Sequence, residues 1–310
     1  MRRFRREREE CGSIAASTAA TKERGTERGA DRATERTECT VSSVLLERQF
    51  LPPKATNQVW VLTRRLITPS LRNGEIWTAV ASPVVFTVGF YIPLVGVMTF
   101  LGSGSGTYSQ FLMPMIVLQG VAFSAIAASF RSATDAVEGI NRRFAAMPIA
   151  HWVPVAARMG ANMFRCALTV VSSVVCGYLI GFRFHLGIAH TFGFLLLAMA
   201  IGFVLSLGAD VIGSLTRSPE ATSQALILPQ MLFGMLSAGF APSDQFPAWI
   251  EPFVRNQPVS QWAYLLRALA GDPTFETGPT WGIAFPAVLW LVSGTLIFAP
   301  LAIKLSARRP

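Results

Sequence analysis

Long apolar stretches alternate with short polar connections along most of the chain. Six stretches are long enough to span a membrane, and they cover residues 78–101, 111–130, 159–182, 191–215, 221–241 and 281–303. An α-helix rises ~1.5 Å per residue and the hydrocarbon layer is ~30 Å thick, so about 20 apolar residues cross it. Because irregular backbone cannot face lipid, we expect these spans to be helices. The pattern predicts an all-α integral membrane protein with six transmembrane helices.

The composition agrees with this class and explains the net charge. Charged residues make up 15% of the 310 residues, against about 25% in soluble proteins. The net charge of +9 comes largely from Lys and Arg beside the first span, in the second and fourth connections and at the C-terminus. Under the positive-inside rule this places both termini in the cytoplasm. The excess of basic residues therefore reflects the orientation of the chain in the membrane, and we expect no nucleic-acid partner. We expect the protein to lie in the inner (plasma) membrane of the cell.

The region before the first span divides into two parts. Residues 1–44 mix basic and acidic residues with few apolar ones, which predicts a disordered cytoplasmic tail. Residues 45–77 include an amphipathic stretch in which Val59 and Leu62 lie near one face, and it predicts an N-terminal interfacial helix on the inner membrane surface. A solvated linker is the alternative. Residues 78–310 then form the six-span domain.

Two charged residues fall inside predicted spans. Arg165 lies in the third span and Asp210 lies near the cytoplasmic end of the fourth. A lone charge at mid-bilayer costs ~2.5–3.5 kcal/mol, so pairing is the expected solution. We therefore predict a contact between Arg165 and Asp210, with a structural role favoured over a mechanistic one.

The longest external connection, residues 242–280, has helical signals of its own. Pro258 stands where a first helical turn tolerates it, and Gly271 can end the helix. Between them, four apolar residues follow helical spacing: Trp262, Leu265, Leu266 and Leu269. We expect one or two short amphipathic helices on the outer side before the last span.

Several kinds of chemistry have no residues to support them. None of the three lysines, Lys22, Lys54 and Lys304, follows a glycine, so the chain has no P-loop for ATP. His185 and His190 are the only close histidine pair, and the sequence has no His-Glu-x-x-His run or nucleophile elbow. We expect no catalytic residue, no metal site and no cofactor bound by this chain.

The connection between the second and third spans has the pattern of a helix. Five apolar residues recur at intervals of four and three: Ala133, Val137, Ile140, Phe144 and Met147. Ser132 or Thr134 can cap the start, late arginines suit the negative end, and Pro148 stops the helix. We predict a cytoplasmic helix over residues 133–147 with its apolar stripe against the membrane domain. A cationic loop that enforces topology is the alternative, and it does not explain the stripe.

Three runs carry a resemblance to a known family: ATDAVEGINRRFAAMPIA, DVIGSLTRSPEA and SAGFAPSDQFPAWIEPFVRNQPVSQWAYLLRALAGD. They resemble the ABC-2 type permeases of ABC transporters, and within them the daunorubicin-resistance (Drr) type B permeases. These include a mycobacterial relative associated with export of the wax phthiocerol dimycocerosate. The likeness covers most of residues 55–310 in order, and the third run is the most specific.

The resemblance implies a mechanism that this chain cannot carry out alone. A separate dimer of ABC ATPase subunits would bind ATP and Mg and push on a coupling helix between spans two and three. A second ABC-2 permease, identical or different, would complete the pore. The implied function is outward export of a hydrophobic lipid or amphipathic drug.

The resemblance also assigns residues to three roles by position. The ATPase-coupling element falls on Glu138, Gly139, Asn141, Arg142, Arg143, Phe144 and Met147. The external motif falls on Phe240, Pro242, Trp249, Phe253, Arg255, Asn256, Gln257, Pro258 and Arg267. Spans one, two and five usually line the substrate path in such permeases, and we expect Gln110, Gln119, Phe123 and Gln230 near it.

Three alternative functions make different predictions. A secondary transporter or channel for a hydrophobic solute would work without ATP and would need ionisable or filter residues at mid-membrane, which are scarce here. A lipid-modifying enzyme would need a polar catalytic cluster near one interface, and the acids of residues 242–280 are scattered. A membrane anchor that only recruits a cytoplasmic protein is the third alternative.

Overall fold

The computed structural model is helical wherever it assigns regular structure. It describes residues 55–72, 74–93, 95–96, 105–140, 150, 152–216, 218–241, 243–273 and 278–307. The predicted tail, residues 1–44, lies outside the described residues. The α-helices discussed below are α1 (Ala55–Arg72), α2 (Glu75–Phe86), α3 (Ser105–Val137), α4 (Trp152–Leu179), α5 (Ile188–Leu215), α6 (Pro219–Met235), α7 (Glu251–Asn256), α8 (Pro258–Ala270) and α9 (Trp281–Ala307). The prediction of an all-α membrane protein is confirmed.

Among the described residues, four helices are long and apolar enough to cross a bilayer: α3, α4, α5 and α9. The helices at the first and fifth predicted spans are shorter. Ile76–Tyr91 is apolar but falls below the length of a span. Helix α6 has 17 residues and ends at Met235, before the expected residue 241, because the chain then turns and the Ala238 amide donates to Ser260 Oγ (3.0 Å). The count of six spans stays a prediction.

Helix α3 lies at the centre of the bundle and packs against α4, α5 and α6. Its buried side chains include Met113, Val117 and Val121, which share a core with Phe194 and Ile201 of α5. Gly213 of α5 lets the two backbones approach closely, because a Cβ there would overlap the Ser129 carbonyl of α3, and small residues are common at such contacts between membrane helices. We call the end of the bundle where α3 ends and α4 begins the 140 end, and the opposite end, where α8 lies, the 270 end.

Helix α1 packs beside the 140 end of α4. Thr63 Oγ1 donates to the Ala157 carbonyl (3.3 Å), and both Thr63 and Ser70 are buried. Arg64 and Arg65 are exposed on the opposite side. A helix over this region is therefore present, whereas its place on the membrane surface remains a prediction.

The predicted coupling helix does not begin where the sequence suggested. Ala133 and Val137 belong to the last turns of α3, so the expected separate start is wrong. Thr134 Oγ1 donates to the Phe130 carbonyl (3.0 Å) inside α3 and does not cap a new helix. The break comes later, at Gly139, whose φ of +70° is left-handed and favours glycine. Residues 141–149 lie outside the described residues.

The helices predicted within residues 242–280 match their sequence signals closely. Helix α8 begins at Pro258 and ends at Ala270, and Gly271 caps it with a left-handed φ of +82°. The residues Trp262, Leu265 and Leu266 are buried against the bundle. Because proline fits a first turn and glycine suits the C-terminal cap, these two residues set the bounds of α8.

Candidate functional site

An apolar cavity of about 750 Å³ lies between α3, α5, α6 and α9, below α7 and α8. Its walls are formed mainly by Leu, Ile, Val, Ala and Met side chains with several aromatic rings. The described residues that line it include no charged side chain. Its volume is within the range of about 300–1,000 Å³ that is typical of sites for drug-sized ligands. The cavity suits a hydrophobic compound.

Two of the expected path residues meet at this cavity. Gln230 Nε2 of α6 donates to Gln119 Oε1 of α3 (2.7 Å), and both residues line the cavity. Gly234 makes room for this pair, because a Cβ at that position would overlap the amide nitrogen of Gln119. The glutamines therefore join the fifth predicted span to the second at the cavity wall.

Residues of the external motif close the 270 end of the same cavity. Phe253, Asn256, Gln257 and Pro258 all line it, and the Phe253 ring lies 6.1 Å from that of Phe233 on α6. Gln257 is 4% exposed. Its Nε2 donates to the Leu236 carbonyl and to Ser260 Oγ (3.2 Å). The motif thus forms a lid over the cavity and ties it to the end of α6.

Arg267 fixes α8 to the rest of the 270 end. Its Nε donates to the Phe111 carbonyl (3.1 Å) and its Nη2 to the Gly239 carbonyl (2.9 Å), with the guanidinium 3.5 Å from the centre of the Phe111 ring. Burial lowers the pKa of Arg267 to about 10, and Asp272 opposes that shift. Arg267 therefore stays charged at neutral pH, and charge-assisted hydrogen bonds of this kind contribute about 1.5–3 kcal/mol each.

The other motif residues have varied positions. Phe240 packs on the Phe90 ring, with centroids 4.7 Å apart, and Trp249 is 81% exposed. The Arg255 carbonyl accepts from Gln261 Nε2 (2.8 Å). Pro242 lies outside the described residues.

Phe123 and Gln110 lie apart from the glutamine pair. Phe123 lines a second cavity of about 490 Å³ between α2, α3 and α6, together with Arg131 and Arg165, and its ring is 5.0 Å from that of Phe86. Gln110 lies at the 270 end, where its Nε2 contacts the Arg183 carbonyl (2.8 Å) and His185 Nε2 (3.0 Å). The four expected path residues therefore divide between three places.

The expected partner of Asp210 is wrong. Arg158 donates from Nε to Asp210 Oδ1 (2.8 Å) and from Nη2 to Oδ2 (3.0 Å), whereas Arg165 donates to Ser70 Oγ and to Asn162 Oδ1 (3.3 Å). The reason is depth along the helices. Helix α4 begins at Trp152 and α5 ends at Leu215, so Arg158 and Asp210 lie ~9 Å and ~8 Å from the 140 end and Arg165 lies ~20 Å from it.

The Arg158–Asp210 pair belongs to a larger polar group that the sequence did not reveal. Ser132 Oγ of α3 donates to the Asp210 carbonyl (3.2 Å) and contacts Ser214 Oγ (3.1 Å). Arg131 Nη2 donates to Asn162 Oδ1 (3.3 Å). The sequence could have indicated this group through one feature: each of three neighbouring helices has a polar residue at the same depth, namely Ser132, Arg158 and Asp210. This group links α3, α4 and α5 near the 140 end.

The coupling residues themselves are only partly described. Glu138 is exposed immediately after α3, and Gly139 forms the turn. The remaining expected coupling residues, Asn141, Arg142, Arg143, Phe144 and Met147, lie outside the described residues. Their assignment to a partner ATPase stays a prediction.

The long apolar helices of the bundle define the class as a multi-pass membrane protein, and comparison with known proteins specifies the family. The ABC-2 type transporter family matches residues 57–270. The chain is 47% identical over 259 residues to the doxorubicin resistance ABC transporter permease protein DrrB of Mycobacterium tuberculosis H37Rv, covering 82% of this chain and 90% of that protein. It is 26% identical over 252 residues to the probable permease DrrC of the same strain, covering 79% of this chain and 87% of that protein.

A third relative comes from another genus. The daunorubicin resistance ABC transporter permease protein DrrB1 of Streptomyces coeruleorubidus is 26% identical over 201 residues, covering 64% of this chain and 68% of that protein. The chain therefore belongs to the ABC-2 type transporter family and is a multi-pass membrane permease of an ABC transporter. It is a transport component rather than an enzyme, and the family implies an ABC ATPase partner.

Proposed function

We propose that this permease moves a hydrophobic lipid or amphipathic drug outward across the plasma membrane, with both termini in the cytoplasm. A separate ATPase dimer powers the movement, and a second permease, identical or different, completes the pore. The 47% identity to a doxorubicin resistance permease along 90% of that protein is the observation that carries the proposal. The apolar cavity between α3, α5, α6 and α9 supports a substrate with a large hydrophobic part.

Contacts at the 140 end support a route for coupling. The segment at 138–147 continues directly from α3, and Ser132 in the last turns of α3 donates to the Asp210 carbonyl. Arg158 ties α4, which begins after this segment, to α5. A push on the segment would therefore act on three connected helices. An ATPase can shift a permease between states only if it contacts those states differently, and this segment is the proposed contact.

ATP-driven export in proteoliposomes tests the proposal. The chain would be reconstituted with its ATPase subunits, and the movement of doxorubicin and of a fluorescent neutral lipid would be measured with ATP present. The control is an ATPase subunit whose P-loop lysine is replaced by alanine. We expect export of at least one compound with ATP and none with the control. Equal export by both, or export after ATP depletion, would favour the secondary transporter and overturn the proposal.

A further inference from the structure

The second cavity, between α2, α3 and α6, has a positively charged wall. Arg131 of α3 and Arg165 of α4 both line it, and its described lining includes no acidic side chain. Asp135 lies close enough to interact with Arg131 but is not a lining residue. The cavity has a volume of about 490 Å³. It therefore presents two cations to a molecule that enters it.

A buried amide brings these two cations together. Asn162 Oδ1 accepts from Arg131 Nη2 (3.3 Å) and from Arg165 Nη1 (3.3 Å), so both guanidinium groups bond to one oxygen atom. Asn162 is 6% exposed and Arg165 is 5% exposed, so salt and water screen these charges poorly. Charges of one sign along a cleft with apolar walls concentrate the electric field and attract the opposite charge. The arginine pair therefore favours an anionic ligand.

The chemistry of the lining suits a phosphate group. The planar guanidinium group of arginine matches the arrangement of phosphate oxygens and can donate two parallel hydrogen bonds to them. Ser82 and Ser124 add hydroxyl groups to the same lining. Basic pockets between transmembrane helices are known sites for the headgroups of anionic lipids.

The rest of the lining is mainly apolar and extends deeper into the bundle. By helical rise, Arg131 lies ~9 Å and Phe123 lies ~21 Å from the end of α3 at Val137. Two other lining residues, Thr78 of α2 and Phe130 of α3, are exposed, so the cavity opens at the side of the bundle. A molecule with an anionic head and an apolar chain matches this order of charged and apolar surface.

We propose that the second cavity binds an anionic membrane lipid, whose phosphate group contacts Arg131 and Arg165 and whose acyl chain lies against the apolar lining. The proposal goes beyond the export function, because it concerns a lipid of the bilayer rather than the exported compound. A soluble phosphate would use the arginines alone, whereas a lipid uses both parts of the cavity.

Two lipids with identical acyl chains test the charge requirement without any mutation. Radiolabelled dioleoylphosphatidylglycerol is anionic, and dioleoylphosphatidylcholine has no net charge. Binding to the purified full-length chain in dodecyl maltoside micelles would be measured by scintillation proximity, with empty micelles as the blank. We expect the anionic lipid to bind at least about tenfold more tightly, since each arginine near an anionic headgroup contributes roughly fivefold. Equal binding of the two lipids would overturn the proposal.

A soluble competitor distinguishes a lipid from free phosphate. The competitor is sn-glycerol 3-phosphate, which carries the phosphate group but no acyl chain. We expect about a hundredfold excess of it to leave the bound phosphatidylglycerol in place, because it gains nothing from the apolar lining. Displacement of the lipid at that excess would show that a soluble anion suffices and would overturn the lipid assignment.

Two double variants of equal charge locate the site. Arg131→Gln with Arg165→Gln removes both lining cations and should lower the preference for phosphatidylglycerol at least fivefold. Arg64→Gln with Arg65→Gln removes two exposed cations of α1 and should change the preference less than twofold. An equal loss in both double variants would indicate diffuse attraction to the basic surface, and no loss in either would exclude the arginines. Each of these outcomes would overturn the assignment.

A third variant tests the cavity while both arginines remain. Ser124→Phe fills part of the lined space and should weaken phosphatidylglycerol binding at least threefold, so it keeps the test decisive if the arginine variant does not fold. Circular dichroism and gel filtration would show which variants are folded. Unchanged binding by folded Ser124→Phe would overturn the location. These measurements contain no ATPase, so failure of this site and failure of ATP-driven export are observed separately.

Discussion

Removing Asp210 alone should destabilise the protein more than removing Asp210 and Arg158 together. The two side chains are 2% and 11% exposed and meet through two hydrogen bonds. Taking away one partner of a buried ion pair costs about 3–5 kcal/mol, whereas replacing both by apolar residues is often nearly neutral. Because Asp135 also lies close enough to interact with Arg158, we expect the loss in Asp210→Leu to be about 3 kcal/mol.

A double-mutant cycle measures this coupling. The free energy of unfolding would be determined in mixed micelles by titration with a denaturing detergent, followed by circular dichroism. The four proteins are the wild type, Arg158→Met, Asp210→Leu and the double variant. We expect a coupling energy of about 2 kcal/mol or more, since the double variant leaves no unpaired charge from this pair.

Arg165 provides the matched control for this cycle. It is buried on the same helix as Arg158 but contacts Ser70 and Asn162. A cycle between Arg165→Met and Asp210→Leu should give a coupling energy smaller than about 0.5 kcal/mol. Additive losses for Arg158 and Asp210, together with strong coupling between Arg165 and Asp210, would refute the pairing described here.

Three further changes have defined outcomes. Gly213→Ala should lower the free energy of unfolding by about 1–3 kcal/mol, because the added Cβ would overlap the Ser129 carbonyl. Gly282→Ala is the control and should have little effect on this free energy, because the space around Gly282 is open. Arg267→Met should cost about 2 kcal/mol or more in the same assay through two lost hydrogen bonds, with partial recovery in Arg267→Lys. Cys166, 1% exposed, should react with a maleimide only after denaturation, as followed by mass spectrometry.

The long helices could be predicted because an apolar stretch of sufficient length has few other solutions in a membrane. The bounds of α8 could be predicted as well, since Pro258 and Gly271 act locally on the backbone. In each case the information lies within a few residues or one continuous run. The family resemblance followed from three such runs and is confirmed by the match to residues 57–270.

The start of the coupling element could not be predicted from periodicity. A stripe through Ala133 and Val137 has the same spacing whether these residues begin a new helix or end α3, as they do. Only the position of the break, at Gly139, distinguishes the two, and Ser132 and Thr134 looked like caps although both lie inside α3.

The partner of Asp210 depended on the exact start of a neighbouring helix. Hydropathy placed that start at residue 159, which left Arg158 outside the span, whereas α4 begins at Trp152. An error of two turns moves a side chain ~10 Å along the helix axis. The meeting of Gln119 and Gln230 is a tertiary contact between α3 and α6 that neither local sequence encodes.

In the proposed mechanism, an ATPase drives this permease through the segment at 138–147. Its most direct test is ATP-driven export by a chain carrying Arg142→Glu and Arg143→Glu, with membrane insertion and topology checked by protease accessibility. The matched control reverses another adjacent pair, Arg308 and Arg309. We predict that export is abolished in the first variant and retained in the control, with both inserted normally. Unchanged export by the inserted Arg142→Glu, Arg143→Glu variant would contradict the claim.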